Sequence, residues 1–187
     1  LGDQALSGGS LSGDNNIAIG QQTLSANTSG QQNVAIGRNA GISNTTGYRN
    51  IFIGHSTGNY NTTGVENTAV GYNALNSMTT GGKNVAVGFE ALKTEDTHDR
   101  STAIGYQSLR TQNAGNHAQN TALGYASGSA ITTGIENTFI GASAGETATN
   151  PSYTTAVGKS ALGGGSLSGS YNTAVGRTSG LVMSTGA

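Results

Sequence analysis

The chain has 187 residues, 31 of them Gly, with one Pro, no Cys and no Trp; charged residues make up 9%, where an average domain carries about 25%. Its formal net charge of −1 offers nothing to steer it to nucleic acid or anionic lipid, and no run of about 18 apolar residues is there to span a membrane. The missing cysteines exclude disulfides and thiolate metal sites, and low charge with strict repetition separates the chain from disordered sequences.

Read in chain order, one phrase keeps returning. "NNIAIG" ends at Gly20, "QNVAIG" at Gly37, "RNIFIG" at Gly54, "ENTAVG" at Gly71, "KNVAVG" at Gly88 and "RSTAIG" at Gly105. Then come "QNTALG" at Gly124, "ENTFIG" at Gly141, "YTTAVG" at Gly158 and "YNTAVG" at Gly176. The interval is 17 residues, except for 19 before Gly124 and 18 before Gly176; Gly2 fits as a truncated first copy. A helical solenoid needs about 33 to 47 residues per unit. Gly and β-branched residues also oppose helix. The period therefore predicts an all-β chain: a parallel β-solenoid of about eleven 17-residue coils. The coils would stack at about 4.8 Å into a rod of roughly 50 Å. Residues 1–187 read as a single repeat domain, expected to be a segment of a longer fibre chain.

The coils align into columns. Alternate strand residues face opposite sides. The column Ile19, Ile36, Ile53, Val70, Val87, Ile104, Leu123, Ile140, Val157 and Val175 is expected to point inward, with Ile17 and its equivalents on the same side. Between them runs a column of Ala, broken by Phe52 and Phe139. A line of small apolar residues facing away from the interior would let a second protomer approach closely. The alternative is that Ala lines a second cramped interior face. A further column alternates Leu with Gly: Leu24, Gly41, Gly58, Leu75, Leu92, Leu109, Gly128, Gly145 and Leu162. That alternation suggests filling of a narrow interior. Asn16, Asn33, Asn50, Asn67, Asn84, Asn120, Asn137 and Asn172 are expected to hydrogen-bond from coil to coil, and Asn also tolerates left-handed backbone angles at turns.

"NTAVGYNAL", "NVAVGFEAL" and "NTALGYASG" resemble the head repeats of trimeric autotransporter adhesins. They also resemble repeats of bacteriophage tail and head fibres. The coils here are longer than those of the adhesin heads. The resemblance implies a left-handed parallel β-roll, a homotrimer with chains side by side, and a role in surface attachment on a virion or a cell surface.

Four local features bear on candidate chemistry. The position after the repeat Gly is aromatic in four successive coils: Tyr72, Phe89, Tyr106 and Tyr125. Stacked coils would bring these rings into one strip, a candidate site for a cell-surface glycan. The structural alternative is a ladder that stiffens the rod or packs between protomers. "KTEDTHDR", residues 93–100, replaces the usual T-T-G turn. Glu95, Asp96 and Asp99 through oxygen, and His98 through nitrogen, could bind a divalent cation, whereas the plainer reading leaves them solvated beside Lys93 and Arg100. "SGGSLSG" at 7–13 recurs as "GGGSLSG" at 163–169, a turn expansion without the Lys and Ser/Thr of a phosphate loop. Asn27, Asn44 and Asn61 begin N-x-S/T sequons, relevant only to a eukaryotic secretory route.

The reading that follows is a structural or adhesive fibre segment, not an enzyme, needing no cofactor or metal. Two alternatives compete. An ice-binding solenoid is suggested by "TTG" at 45–47, 62–64, 79–81 and 132–134, but that row is interrupted at Glu95–Asp96, Ala114 and Ser152. A polysaccharide-degrading solenoid would need carboxylates paired across a groove, and only nine acidic residues exist.

Overall fold

The computed structural model describes residues 2–8, 12–115 and 117–181. Parts of "SGGSLSG" at 7–13 and of the longer coil near residue 116 lie outside the described residues. Ten three-residue strands form one parallel sheet in sequence order. They are β1 (Ile17–Ile19), β2 (Val34–Ile36), β3 (Ile51–Ile53), β4 (Thr68–Val70), β5 (Val85–Val87), β6 (Thr102–Ile104), β7 (Thr121–Leu123), β8 (Thr138–Ile140), β9 (Thr155–Val157) and β10 (Thr173–Val175). Each strand pairs with the equivalent residues one coil away, as in Val85↔Thr102 and Val87↔Ile104. The 19-residue interval does not disturb this register: Ala103 still pairs with Ala122. Extra residues are absorbed in turns, where loop length costs little. The solenoid expected from the 17-residue period is what the chain forms.

The faces of the strands are opposite to the expected ones. In every strand the middle residue is buried and the two flanking residues are not. Ala35, Ala69, Ala86, Ala103 and Ala122 are fully buried, while Ile19 is 49% exposed, Leu123 46% and Val175 70%. The Ala column therefore lines the interior, and the Ile/Val column points out. The physical reason is width. A 17-residue coil encloses a narrow lumen, and one inward position per strand shares it with the Leu column, Leu24, Leu75, Leu92 and Leu109, all buried. Two β-branched columns would not fit beside them at protein packing density.

Phe52 and Phe139 show how tight this is. Each replaces Ala, and each is flanked in the Leu column by Gly. A Cβ on Gly58 would lie 2.4 Å from Phe52 Cε1, and one on Gly145 2.6 Å from Phe139 Cδ1. One large ring thus stands in for two missing Leu side chains. The glycine that ends each strand has a different cause. At Gly54 (φ 135°) an added Cβ would sit 2.5 Å from the carbonyl oxygen of Gly71 in the next coil. The close stacking of coils admits no side chain there.

Hydrogen bonds between coils supply much of the remaining order. The amide of Asn50 donates to Asn33 Oδ1 at 2.9 Å, and Asn50 Nδ2 donates to Gly64 O at 2.7 Å. Asn67 and Asn84 repeat both bonds. The ladder expected of this column is present, but its Asn residues are not left-handed. The positive angles fall one residue earlier, at Asn15, Gln32, Arg49, Glu66 and Lys83, and again in the Leu/Gly column.

A second buried column, unmarked in the sequence, lies seven residues past the repeat Gly. Asn27, Asn44 and Asn61 are fully buried there, with Asn44 Nδ2 donating to Asn27 Oδ1 at 2.9 Å. Their sequons are closed to glycosylation in the folded chain. Met78, Glu95, Gln112, Ile131 and Ala148 continue this column inside the rod. Leu167 joins it, its carbonyl accepting from the Thr149 amide at 3.1 Å, so the "GGGSLSG" expansion delivers a core residue.

Candidate functional site

Two features of the surface are built from the repeat: an aromatic ladder and the apolar sheet face beside it. The residue after each repeat Gly leaves the strand at one edge of the sheet. In-register stacking puts these residues in line, and the rings meet. Tyr72 and Phe89 have centroids 5.3 Å apart with 9° between planes. Phe89 and Tyr106 lie at 5.1 Å and 8°, and Tyr106 and Tyr125 at 5.2 Å and 5°. The four rings singled out in the sequence are thus brought together and are exposed. His55 extends the stack, 5.2 Å from Tyr72, and its Nε2 accepts from Arg38 Nε at 3.0 Å. The imidazole belongs to the ladder, although nothing but its place in the column marked it.

Near-parallel stacking has a chemical consequence. Each inner ring turns its faces to its neighbours along the rod, leaving edges and phenolic hydroxyls to the surroundings. Flat sugar stacking needs an open ring face, and the ladder offers those only at its ends. Beside Phe89, the Glu90 carboxylate is held by Lys93 Nζ at 2.6 Å, Arg110 Nε at 3.1 Å and Gln107 Nε2 at 3.0 Å. Burial resists ionisation of Glu90, but those hydrogen bonds and the Lys93 and Arg110 charges outweigh it and hold the carboxyl below its ordinary range.

A second, shorter ladder stands at the opposite edge of the sheet, one residue before the Asn column. Tyr153 and Tyr171 stack at 4.9 Å and 12°. Their 18-residue spacing is the local repeat interval, which is the signal that would have paired them.

The charged turn is not a solvated surface patch. Glu95 and His98 are fully buried. His98 Nδ1 contacts Glu95 Oε1, Gln112 Nε2 donates to Glu95 Oε2 at 2.6 Å, and Asn120 Nδ2 donates to Gln112 Oε1 at 2.8 Å. This network fills the interior where Ser101 interrupts the Asn ladder, Gln112 Nε2 also donating to Ser101 Oγ at 3.0 Å. Desolvation holds the His98 imidazole below its ordinary range, with the Asp99 charge acting the other way. Asp96 and Asp99 face outward and are used locally: Asp96 Oδ1 accepts from Thr79 Oγ1 at 2.5 Å, and Asp99 Oδ1 from the Gly82 amide at 2.7 Å. The described residues bring no three His, Cys, Asp or Glu side chains into a metal-binding group.

The apolar face consists of the outward residues of all ten strands, two from each. Every one is Ile, Val, Leu or Thr. Among them Ile17, Ile19, Ile51, Ile104, Leu123, Ile140 and Val175 are more than a third exposed. Among the described residues no helix is long and apolar enough to cross a membrane. No protein-family profile, curated protein or solved structure matches the chain.

Proposed function

We propose that this chain is a segment of a structural and adhesive fibre, a spacer that associates side by side with copies of itself and carries attachment on a virion or cell surface. The observation that carries the reading is the uncharged outward sheet face. Ten strands at about 4.8 Å and three residues at about 3.3 Å give a strip of roughly 450 Å² with no ionisable group on it. A strip of that size falls among the largest apolar patches of single chains, which are often functional, and here it is continuous along the rod with Thr as its only polar residue. Its occupant is a second copy, because the strip is uniform in residue type along the rod and as long as the rod itself. A face only three residues wide is covered most completely when three converge on one axis, which agrees with the trimeric adhesins that the repeat resembles.

The carboxylates support a structural role over hydrolysis. Glu66 is tied to Arg49 at 3.2 Å, Glu90 to Lys93 and Arg110, and Glu95 to His98 and Gln112. The ice-binding alternative is weakened by the first Thr of each T-T-G: Thr45 Oγ1 donates to Thr62 O and Thr62 Oγ1 to Thr79 O, both at 3.0 Å.

The test is molar mass by light scattering. A value near three times 18.6 kDa is expected, and Val87→Asp should reduce it to that of a folded single chain. A wild-type protein that stays monomeric at high concentration would overturn the proposal.

A further inference from the structure

Resting on the attachment part of the reading above, we infer that the chain binds a carboxylate-bearing pyranose, such as a uronic acid residue of a surface polysaccharide, in a notch where the aromatic ladder stops. The notch lies between Tyr125 and Lys159, with Ala142 as its floor. The three residues stand directly above one another, because they follow Leu123, Ile140 and Val157, which pair in register. The turn backbone keeps the same order. The Ser143 amide donates to Tyr125 O at 2.8 Å, and the Ser160 amide to Ala142 O at 2.9 Å. Below Tyr125 the column is filled: Phe89 and Tyr106 are each stacked on both sides, and at the far end Arg38 Nε reaches His55 Nε2 at 3.0 Å. Above Tyr125 the next coil offers only the methyl group of Ala142. Tyr125 is accordingly 57% exposed, against 42% for Tyr106 and 39% for Phe89. The one cation over a ring among the described residues is Arg49, on Tyr48, so the upper face of Tyr125 is open.

The size and chemistry of the notch select its ligand. Coils at about 4.8 Å put the levels of Tyr125 and Lys159 about 10 Å apart. Stacked rings have centroids about 4.5–7 Å apart, so a single ring fits at the level of Ala142. The far side is cationic. Lys159 is exposed, Arg177 follows it one coil further on, and neither has an ion-pair partner among the described residues. The flank is polar: Ser143 and Ser160, one position along the chain from Ala142 and Lys159, are partly exposed. A pyranose acid meets all three surfaces, with a C–H face for Tyr125, a carboxylate for Lys159 and hydroxyls for the serines. A neutral sugar leaves the cation unmatched, and a flat aromatic acid leaves the serines unmatched. The notch lies at the edge of the sheet, outside the strip proposed to meet another copy. Each contact is weak alone, and several copies on one fibre add to one another by multivalency.

Titration followed by ligand-observed NMR tests this with three probes: methyl glucuronide, its neutral twin methyl glucoside, and benzoate. The glucuronide should bind about two- to five-fold more tightly than the glucoside, and more tightly than benzoate. Ala142→Tyr should abolish glucuronide binding, because it continues the ladder through the notch while leaving Tyr125 and Lys159 in place. Lys159→Ala should bring the glucuronide down to the level of the glucoside. Tyr125→Ala uncovers Tyr106 but leaves Lys159 three coils away, and should lose the same preference. Tyr171→Ser, at the opposite edge of the sheet, should bind as the wild type does. Benzoate binding that equals glucuronide binding, or glucuronide binding that survives Ala142→Tyr or keeps its preference in Lys159→Ala, would overturn the assignment. Light scattering on the same samples separates this result from the association reading. An oligomer that binds no glucuronide overturns the notch alone. A monomer that binds it through Tyr125 and Lys159 overturns association alone.

Discussion

Phe52 sits where most coils have Ala, and the two nearest positions of the Leu column, Gly41 and Gly58, have no side chain. The interior therefore conserves volume across coils rather than residue type. Phe52→Ala should cost about 3–5 kcal/mol, because the lumen cannot collapse around the void. Adding Gly58→Leu should recover part of that loss. Leu is tolerated at this left-handed position elsewhere in the column, as at Leu75 (φ 48°). Thermal melts of the single and double variants check the coupling, and additive losses would mean that the two sites do not share one space. His98 makes a second residue-scale prediction. Burial lowers its folded value, so the unfolded chain takes up a proton first as pH falls. Stability from this group is complete above about pH 6.5 and declines below it, by up to about 1.4 kcal/mol per pH unit, until the folded value is reached. The Asp99 carboxylate is the charge that acts on it, and the Glu95 carboxyl touches its Nδ1. Melting temperatures at pH 7.5, 6 and 5 should fall in the wild type and fall less in His98→Gln. Glu90, with its lowered value, adds a separate loss only in the carboxylate range.

At the scale of the strand, neighbouring residues have opposite fates. Ala103 is fully buried and Ile104 is 39% exposed. Ala103→Asp should therefore unfold the middle coils, placing an unpaired carboxylate in a lumen with no partner for it. Ile104→Asp should leave the circular dichroism of the single chain intact and abolish association. A folded Ala103→Asp protein, or an unfolded Ile104→Asp monomer, would contradict the observed orientation. The period of two separates these residues into two faces but does not say which face is the interior. Hydrophobicity ranks Ile above Ala, and on that rule alone the strand is read inside out. Lumen width decides the matter in favour of the smaller residue.

Over the whole rod, each coil touches only the coils above and below it. Stability is then close to a sum of coil terms and nearest-neighbour terms. In this 187-residue chain the same lesion should cost more at Ala103, whose strand pairs on both sides, than at Ala174, whose strand pairs on one side among the described residues. Denaturant melts of Ala103→Asp and Ala174→Asp compare them, and equal losses would imply cooperativity beyond nearest neighbours. The repeat interval, the strand positions, the Asn ladder and the stack of Tyr72, Phe89, Tyr106 and Tyr125 were all legible in the sequence. A fixed interval forces equivalent residues into line, whatever the shape of the coil between them. Which column faces in, the burial of Glu95 and His98, and the interior places of Asn27, Asn44 and Asn61 were not. Those depend on how the turn closes. Its path follows from left-handed residues such as Gln32, Arg49 and Leu75, whose side chains carry no such signal. Linear order fixes what stacks on what, whereas inside and outside are properties of a closed cross-section, and only the folded coil has one.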